Sequence, residues 1–562
     1  MSLLDTASLI VTPNAGKEGK LYSVVPSSGA GDLDVTRATT ATRVNSDGLV
    51  ELVPYNLLQY SEQFDNAIWT QANGNGGSVP ILTPNYGISP NGTQTAYRIQ
   101  LTRTSASSSY SYVYQANSVP SGGTYTFSVW LKSLSGTPLI SLSYNGTNYT
   151  NIVTLTTEWQ RYEFTTTALS TNLQAGFLLF QSLPTTSLTA DFLAYGYQLV
   201  EGSVAKDYQK TETRLNIPRL DYTNGSCPSI LVEPQRTNIA LYSEKLVSGF
   251  AFSFTGGVFT VDENTNDTLD PFGNNNADKF TTTSNFNDSY TSTSGSGNLT
   301  LSIFAKKGTN DTIQLYHQNV TTGNLFATTF NLNTGTIVGS SGTVTPKIEE
   351  FKNGWYRCSI SGADTLTNGN IFRVSTYTGT TYLFGWQLEQ GSYATSYIPT
   401  TSASVTRNAD VISKTGISSL IGTEFTVFLD AYETIGGAST RYFVLKGTGG
   451  TYANALLIEG NSSNQLVITL LNSSSSTVFG ALSSPLTNGQ RFKLAVTCKN
   501  NDFAVYVNGS QIATQTSGTV PTTSDLYLGY YTDYSDNYSE INTSALWKQR
   551  LTNSQLEQLT SL

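Results

Sequence analysis

The feature that most constrains this chain is a stretch written twice. Residues 385–410 read GWQLEQGSYATSYIPTTSASVTRNAD, and a looser copy of the first half, GYQLVEGSVAKDYQKTE, occupies residues 196–212. In each, a Gly-aromatic-Gln-Leu core precedes an acidic residue, a Gly-Ser turn and a tail carrying tyrosine. A strand, a turn and an extended tail recurring at this distance mean that one structural unit is used twice. Other matches keep the same order. NLLQYSEQFDNAIW (56–69) answers NIALYSEKLVSGFAF (238–252), and Ala96-Tyr97-Arg98-Ile99 answers Ala277-Asp278-Lys279-Phe280. TFSVWLK (126–132) answers TLSIFAK (300–306). There Phe127, Val129 and Leu131 alternate with Ser128, Trp130 and Lys132, and Leu301, Ile303 and Ala305 alternate with Ser302, Phe304 and Lys306. A period of two marks a strand with one face inward. Trp159-Gln160-Arg161-Tyr162 and Trp355-Tyr356-Arg357-Cys358 complete the set.

Five matched segments in one order predict a tandem duplication, with units over 56–212 and 238–410 and an ordered, non-helical connector over 213–237. Short strands broken by frequent turn signals predict two-sheet sandwiches or jelly rolls. Beyond Asp410 the pattern changes. Alternating strands begin at Phe425, Arg491 and Asp502, and Asn508-Gly509 is a hairpin signal. Leu526-Tyr527-Leu528-Gly529 adds a strand, and Thr552 with Gln555 predicts a capping box for a short closing helix. Residues 411–562 therefore read as a third sandwich. Residues 1–55 hold one short apolar run, Leu9-Ile10-Val11, a second candidate strand over 20–26, and two short strands around Asn45-Ser46-Asp47-Gly48. That is too little for a core, so the segment is expected as an extended attachment arm or a flap over the first domain. The expected fold is all-β, three tandem sandwiches behind an N-terminal arm.

Composition sets the exclusions. Charged residues are 12%, with 48 Gly and 33 Tyr but only 17 Pro, which suits strands and turns rather than disorder. A net charge of −9 and the lack of a basic run argue against nucleic acid as a partner. Three cysteines far apart, Cys227, Cys358 and Cys498, fit neither a disulfide framework nor a metal site, and all three are expected as buried small hydrophobes. No apolar run is long enough to span a bilayer and the first residues lack signal-peptide features, so membrane insertion is not expected.

The search for chemistry starts from His317, the sole histidine; it lies in a candidate strand, and no Gly-x-Ser-x-Gly elbow accompanies it. HExxH, P-loop and dinucleotide patterns are missing as well. Glycoside hydrolysis would need two carboxylates from among Glu349, Glu350, Glu389 and Glu459. Glu389 sits in the repeated turn, with Glu201 as a near counterpart, which favours a structural hydrogen-bonding role. The chain is not read as an enzyme. Asp262, Asn264, Asp267 and Asp270 cluster hard oxygen ligands and make calcium a possible cofactor, and Asp533, Asp536 and Glu540 form a second acidic group. Sugar binding wants exposed aromatic faces beside amides and hydroxyls. Tyr530, Tyr531, Tyr534, Asn537 and Tyr538 have that composition, as do Tyr144 and Tyr149, whereas Trp69, Trp355 and Trp386 lie in repeated segments and read as core.

Two resemblances follow from these residues. Residues 411–562, with FTVFLDAY, the RFKLAVTCKNNDFAVYVNGSQI hairpin, LYLG and the closing SALWKQRLTNSQLEQL, resemble concanavalin A-like, laminin-G-like jelly rolls. NLLQYSEQFDNAIW, ILVEPQRTN and GWQLEQGSYATSYIPT with VTRNAD resemble the carbohydrate-binding-module-like sandwiches of bacteriophage virion proteins, and DVTRATTATRVNSDGLVE resembles the N-terminal portion of such appendages. The resemblance implies a head or tail fibre located in the virion. It would work as a homo-oligomer, dimer or trimer, docked to other virion proteins through the arm and directed at host-surface glycans. A ligand-free decoration protein and a surface-polysaccharide hydrolase are the rival readings.

Overall fold

A computed structural model of the chain describes residues 3–106, 108–119, 122–144, 149–180, 183, 187–246, 259–283, 286–292, 295–319, 325–366, 370–433, 440–449, 452–529 and 537–562. The fold is all-β and built of sandwiches. The only α-helices among the described residues are Ser418–Ile421 and Asn553–Thr560, and no helix there is long and apolar enough to cross a membrane. The chain forms two compact units, Val53–Leu215 on its own and Met1–Leu52 together with Asn216–Leu562.

Val53–Leu215 is a sandwich of two five-stranded antiparallel sheets. One runs in the order Gln160–Thr167, Thr124–Ser133, Thr189–Glu201, Ala96–Thr102, Ile81–Gly87; the other Tyr149–Thr154, Leu139–Tyr144, Asn172–Leu179, Tyr110–Ser118, Thr70–Gly74. The alternation of 126–132 does what its period requires: Phe127, Val129 and Leu131 are fully buried between the sheets. Phe64 meets Trp69, Tyr97 and Phe177 edge-on at centroid distances of 5.0, 5.4 and 5.2 Å.

The second copy keeps this strand order inside the larger unit. Trp355–Leu366, Gly295–Lys307, Gly379–Gln390, Asp278–Thr282 and Phe259–Asp262 repeat the first sheet, with Thr345–Phe351 added at its edge. Leu325–Asn331, Thr312–Asn319, Asn370–Thr376 and Phe286–Ser292 repeat the second, with Thr336–Ser341 added beside Leu325–Asn331 and, among the described residues, no counterpart of Thr70–Gly74. The repeated motif turns out to be a hydrogen-bond lock. Asn56 Nδ2 donates to the carbonyls of Tyr197 and Gln209 (3.4 and 2.9 Å), and its Oδ1 accepts from the amides of Leu58 and Leu199 (3.1 and 3.2 Å). Asn238 does the same with Trp386 and Ile398 (3.2 and 2.8 Å) and with Ala240 and Leu388 (3.1 and 3.0 Å). Tyr208 shares a hydrogen bond with Ser61 (2.8 Å) and Tyr397 with Ser243 (2.7 Å). Each tyrosine ring lies over the glycine that opens the motif. Gly196 and Gly385 have φ of 64° and 65°, and an added Cβ would come within 3.1 Å of Tyr208 and 3.2 Å of Tyr397. A strand, a turn and a tyrosine tail are therefore one closed device, made twice.

The repeat also begins earlier than its sequence boundaries. Hairpin Ala41–Val44 with Val50–Val53 precedes Asn56, and hairpin Arg219–Asp221 with Ser229–Val232 precedes Asn238. Arg43 pairs with Glu51 (2.7 Å) and Arg219 with Glu233 (2.6 Å). The stretch expected as a connector over 213–237 thus contains a strand pair of its own, whose second strand extends the C-terminal sheet (Ile230 opposite Ile541).

The N-terminal segment corrects an expectation. Instead of a free arm or a flap on the first sandwich, Leu9–Lys17, Lys20–Val25 and Leu33–Thr36 lie within the sheet of residues 411–562, between Ser539–Trp547 and Val411–Lys414. Leu9, Val11, Leu21, Leu33 and Val35 are buried in that core beside Phe425, Leu429, Phe492 and Ile541. The segment has too few apolar residues for its own core because it completes another. The Asn508-Gly509 turn joins Asp502–Val507 to Ser510–Gln515, and Thr552 with Gln555 forms the capping box of the closing helix. Cys358 and Cys498 are buried as expected, but Cys227 is exposed, since it lies in the turn of its hairpin. His317 is buried between the rings of Phe326 and Phe372 (5.4 and 4.4 Å).

Candidate functional site

The tail VTRNAD ends in a buried ionic cluster of the larger unit. Asp410 accepts from Arg37 (2.6 Å) and from Arg219, and Glu233 accepts from Arg219 (2.6 Å) and Arg407 (2.8 Å). All five side chains are at most 2% exposed. Burial alone would raise the Glu233 carboxyl, but Arg407 and Arg219 outweigh it and hold it down to about 2. The Ser396 amide and hydroxyl also donate to Glu233 (2.7 and 2.6 Å). Next to this group Glu389 accepts from the amide and hydroxyl of Thr395 (2.9 and 2.6 Å) and from Gln387 (2.6 Å). Glu389 therefore has the structural role expected of it. Its counterpart is Val200 rather than Glu201, because Glu389 stands opposite Thr300 as Val200 stands opposite Thr126.

Above this cluster lies a cavity of about 120 Å³, partly open to solvent. Its floor is the outer face of the sheet of the second sandwich. Alternation puts Cys358 and Ile360 into the core and Arg357, Ser359 and Ser361 on the opposite face; on the neighbouring edge strand Lys347, Glu349 and Phe351 take that face while Ile348 packs inward. The walls are Thr42 to Val44, Asp221, Glu233, the turn Ser392 to Tyr397, and Asn488 and Tyr538 from the C-terminal sandwich. The Tyr393 ring meets Tyr538 at 5.8 Å and 82°, with Arg236 over it at 5.5 Å. Lys347 pairs with Glu349 (2.8 Å), and the two keep 45% and 29% of their side-chain surface accessible. Burial works against ionised Glu349, yet the attraction and hydrogen bond of Lys347 bring its pKa below the usual carboxylate value. Arg357 donates to Ser302 Oγ (3.0 Å) and to the carbonyl of Thr395 (2.6 Å).

The residues singled out in the sequence fall in different places. Tyr538 lines this cavity, its hydroxyl donating to Glu540 (2.5 Å). Asn537 is buried, and its Oδ1 accepts from the Arg441 amide (2.5 Å), a fastening role. Tyr530, Tyr531 and Tyr534 lie outside the described residues, as do Asp533 and Asp536. Tyr144 and Tyr149 stand opposite each other in one hairpin, with side chains outside the described set. Of the proposed calcium ligands, Asp267 is paired with Lys279, and Asp270 Oδ1 accepts from the amides of Phe272 and Asn274 (2.8 and 2.9 Å). The Asn264 amide donates to Asp278 (3.1 Å), and Asp262 ends the strand Phe259–Asp262. Among the described residues no three His, Cys, Asp or Glu side chains are grouped to hold a metal ion. Glu459 pairs with Arg441 (2.6 Å). Sequence reasoning missed Tyr393 and Lys347. A signal for the first was available: directly after the Gly-Ser turn that both copies keep, Tyr393 stands where the first copy has Val204.

Fold and cavity together define a multi-sandwich all-β protein. No protein-family model and no curated protein sequence matches the chain. Among solved structures, it is similar to the Ruminococcus gnavus IT-sialidase CBM40 bound to α2,3-sialyllactose, at 13% identity over 25% of this chain and 84% of that one, TM-score 0.23. A heptameric SAP-like pentraxin from Limulus polyphemus overlaps 24% of this chain and 69% of its own at 16% identity, TM-score 0.20. The botulinum neurotoxin serotype G binding domain overlaps 26% and 39% at 10% identity, TM-score 0.23. Overlaps of this size say nothing of what this chain binds.

Proposed function

We propose that the chain is a structural component of a bacteriophage virion, a head or tail fibre protein whose sandwiches present a surface to glycans of the host cell, and that it is not an enzyme. The observation that carries this reading is the duplicated lock. The stretches that resemble virion appendages, NLLQYSEQ, ILVEPQRTN, GWQLEQGSYATSYIPT and VTRNAD, supply Asn56, Asn238, Tyr397, Arg407 and Asp410, whose side chains are engaged in hydrogen bonds and ion pairs inside the modules, and Gly385, which lies under the Tyr397 ring. A chain that repeats a stiff module suits projection from a particle, and a homo-oligomer would multiply weak single contacts into stable adhesion.

The test uses the full chain. Antibody raised against it should label purified phage particles, and the labelled protein should bind host cells and lose that binding after periodate oxidation of surface sugars. Particle labelling without cell binding would favour a ligand-free decoration protein. Release of reducing ends from host polysaccharide would favour a hydrolase. No label on particles would end the virion reading.

A further inference from the structure

The geometry points to the cavity between Lys347, Glu349, Ser359, Tyr393 and Tyr538 as a binding site for one neutral pyranose ring. This rests on the reading that the chain attaches to glycans, and it assigns the contact to the second sandwich.

Three observations converge. The first is the chemistry of the wall. Thr223, Thr345, Ser359, Ser361 and Ser392 bring hydroxyls, while Tyr393, Tyr538 and Phe351 bring aromatic surface. A sugar ring offers that same mixture, hydroxyls at its rim and C–H groups on its faces. The second is charge. The ionic groups of the lining are already engaged: Lys347 with Glu349, Arg43 with Glu51, Glu233 with Arg219 and Arg407, and Arg357 with a hydroxyl and a carbonyl. At Lys347 and Arg43 an anionic ligand would have to displace a carboxylate, and at Arg357 it would compete with a hydroxyl and a carbonyl beside the Glu233 and Glu349 carboxylates, whereas a neutral polyol can hydrogen-bond to each group as it stands. A volume of about 120 Å³ suits a single ring with the rest of a glycan leaving through the open side.

The third is the comparison between copies, which separates what the fold needs from what it does not. In the first sandwich the position of Tyr393 is Val204, 71% exposed, and that of Ser359 is Glu163, paired with Arg161. The strand Thr345–Phe351, which carries Lys347 and Glu349, has no counterpart at that sheet edge among the described residues. Both copies close the same lock, so Tyr393 and the added strand are not required for closure.

The copy comparison also supplies the test. Y393V installs the residue that the first copy already tolerates, so it should fold; K347Q is the second variant. Full-length protein is titrated by calorimetry and saturation-transfer NMR with the methyl pyranosides of glucose, galactose, mannose and N-acetylglucosamine, and with glucuronic and N-acetylneuraminic acids as charged probes. One of the neutral pyranosides should bind at one site per chain, with affinity falling about tenfold or more in Y393V and in K347Q at unchanged melting temperature. Failure of all four neutral probes, preference for a charged sugar, or equal binding by Y393V would each overturn the assignment. A chain that binds host cells but no pyranoside sinks the cavity and spares the attachment reading. A chain that binds a pyranoside, with loss in Y393V, but no cell does the reverse.

Discussion

Replacing Glu540 by glutamine should make the larger unit more stable above neutral pH and leave it unchanged in acid. Glu540 lies in Ser539–Trp547, opposite Leu231 and Tyr432, and is 4% exposed. Burial is the main reason its carboxyl is pushed up to about 7, and the nearby Asp221 carboxyl adds to it; hydrogen bonds from Tyr538 and Asn224 and the charge of Lys347 pull the other way. The group is an acid whose folded pKa is raised above its ordinary value of 4.5. Below pH 4.5 both states hold the proton and the residue contributes nothing. Between 4.5 and 7 the unfolded chain releases it while the folded chain keeps it, so stability falls as pH rises, and the full penalty is reached above 7. A displacement of about 2.5 pH units corresponds to about 3 kcal/mol. Glutamine removes that penalty at every pH, since the Asn224 amide can turn to present its oxygen. Asp221, itself raised by burial, is present in both proteins and largely cancels in the difference. Urea unfolding of wild type and E540Q at pH 4.5, 6, 7 and 8 should give curves that coincide in acid and separate to about 3 kcal/mol at pH 8. Parallel curves, or a variant less stable than wild type at pH 8, would refute the claim that this carboxyl is held neutral by burial.

Other outcomes follow from the same contacts. Arg219→Leu removes the arginine that Glu233 and Asp410 share, leaving each one arginine partner (Arg407 and Arg37), and the two lost charged hydrogen bonds should cost about 3 kcal/mol, seen as a lower urea midpoint. Asn56→Ala and Asn238→Ala each break a four-membered lock and should destabilise by similar amounts, about 3 kcal/mol or more; a large loss at one site and none at the other would mean the locks are not equivalent. If Tyr531 and Tyr534 touch host glycans, alanine at both should lower cell attachment in a binding assay without moving the melting temperature.

The parts of this fold that were legible in the sequence are those whose partners are written close together. Gly385, Gln387 and Tyr397 lie in one motif, and the ring of Tyr397 returns onto the glycine that opens it, so the motif shows its own closure. The Asn508-Gly509 turn and the Thr552 cap are local in the same way. What stayed hidden is non-local. Leu9 pairs with Leu546, and Arg37 reaches Asp410; a period of two in the first strands tells that they need a sheet and not which one. The apparent poverty of residues 1–55 as a core was itself the trace of that distant pairing. For the cavity the informative positions are mismatches. Matches between the copies mark the lock, which any copy must keep to fold. Tyr393 against Val204, Glu389 against Val200 and the added strand Thr345–Phe351 are freedoms used in one copy alone, and all three sit at or beneath one face of one sheet. Other differences, such as the added strand Thr336–Ser341, lie on the opposite sheet. What marks this face is that its differences line one polar hollow, and that is the physical reason to look there for a ligand.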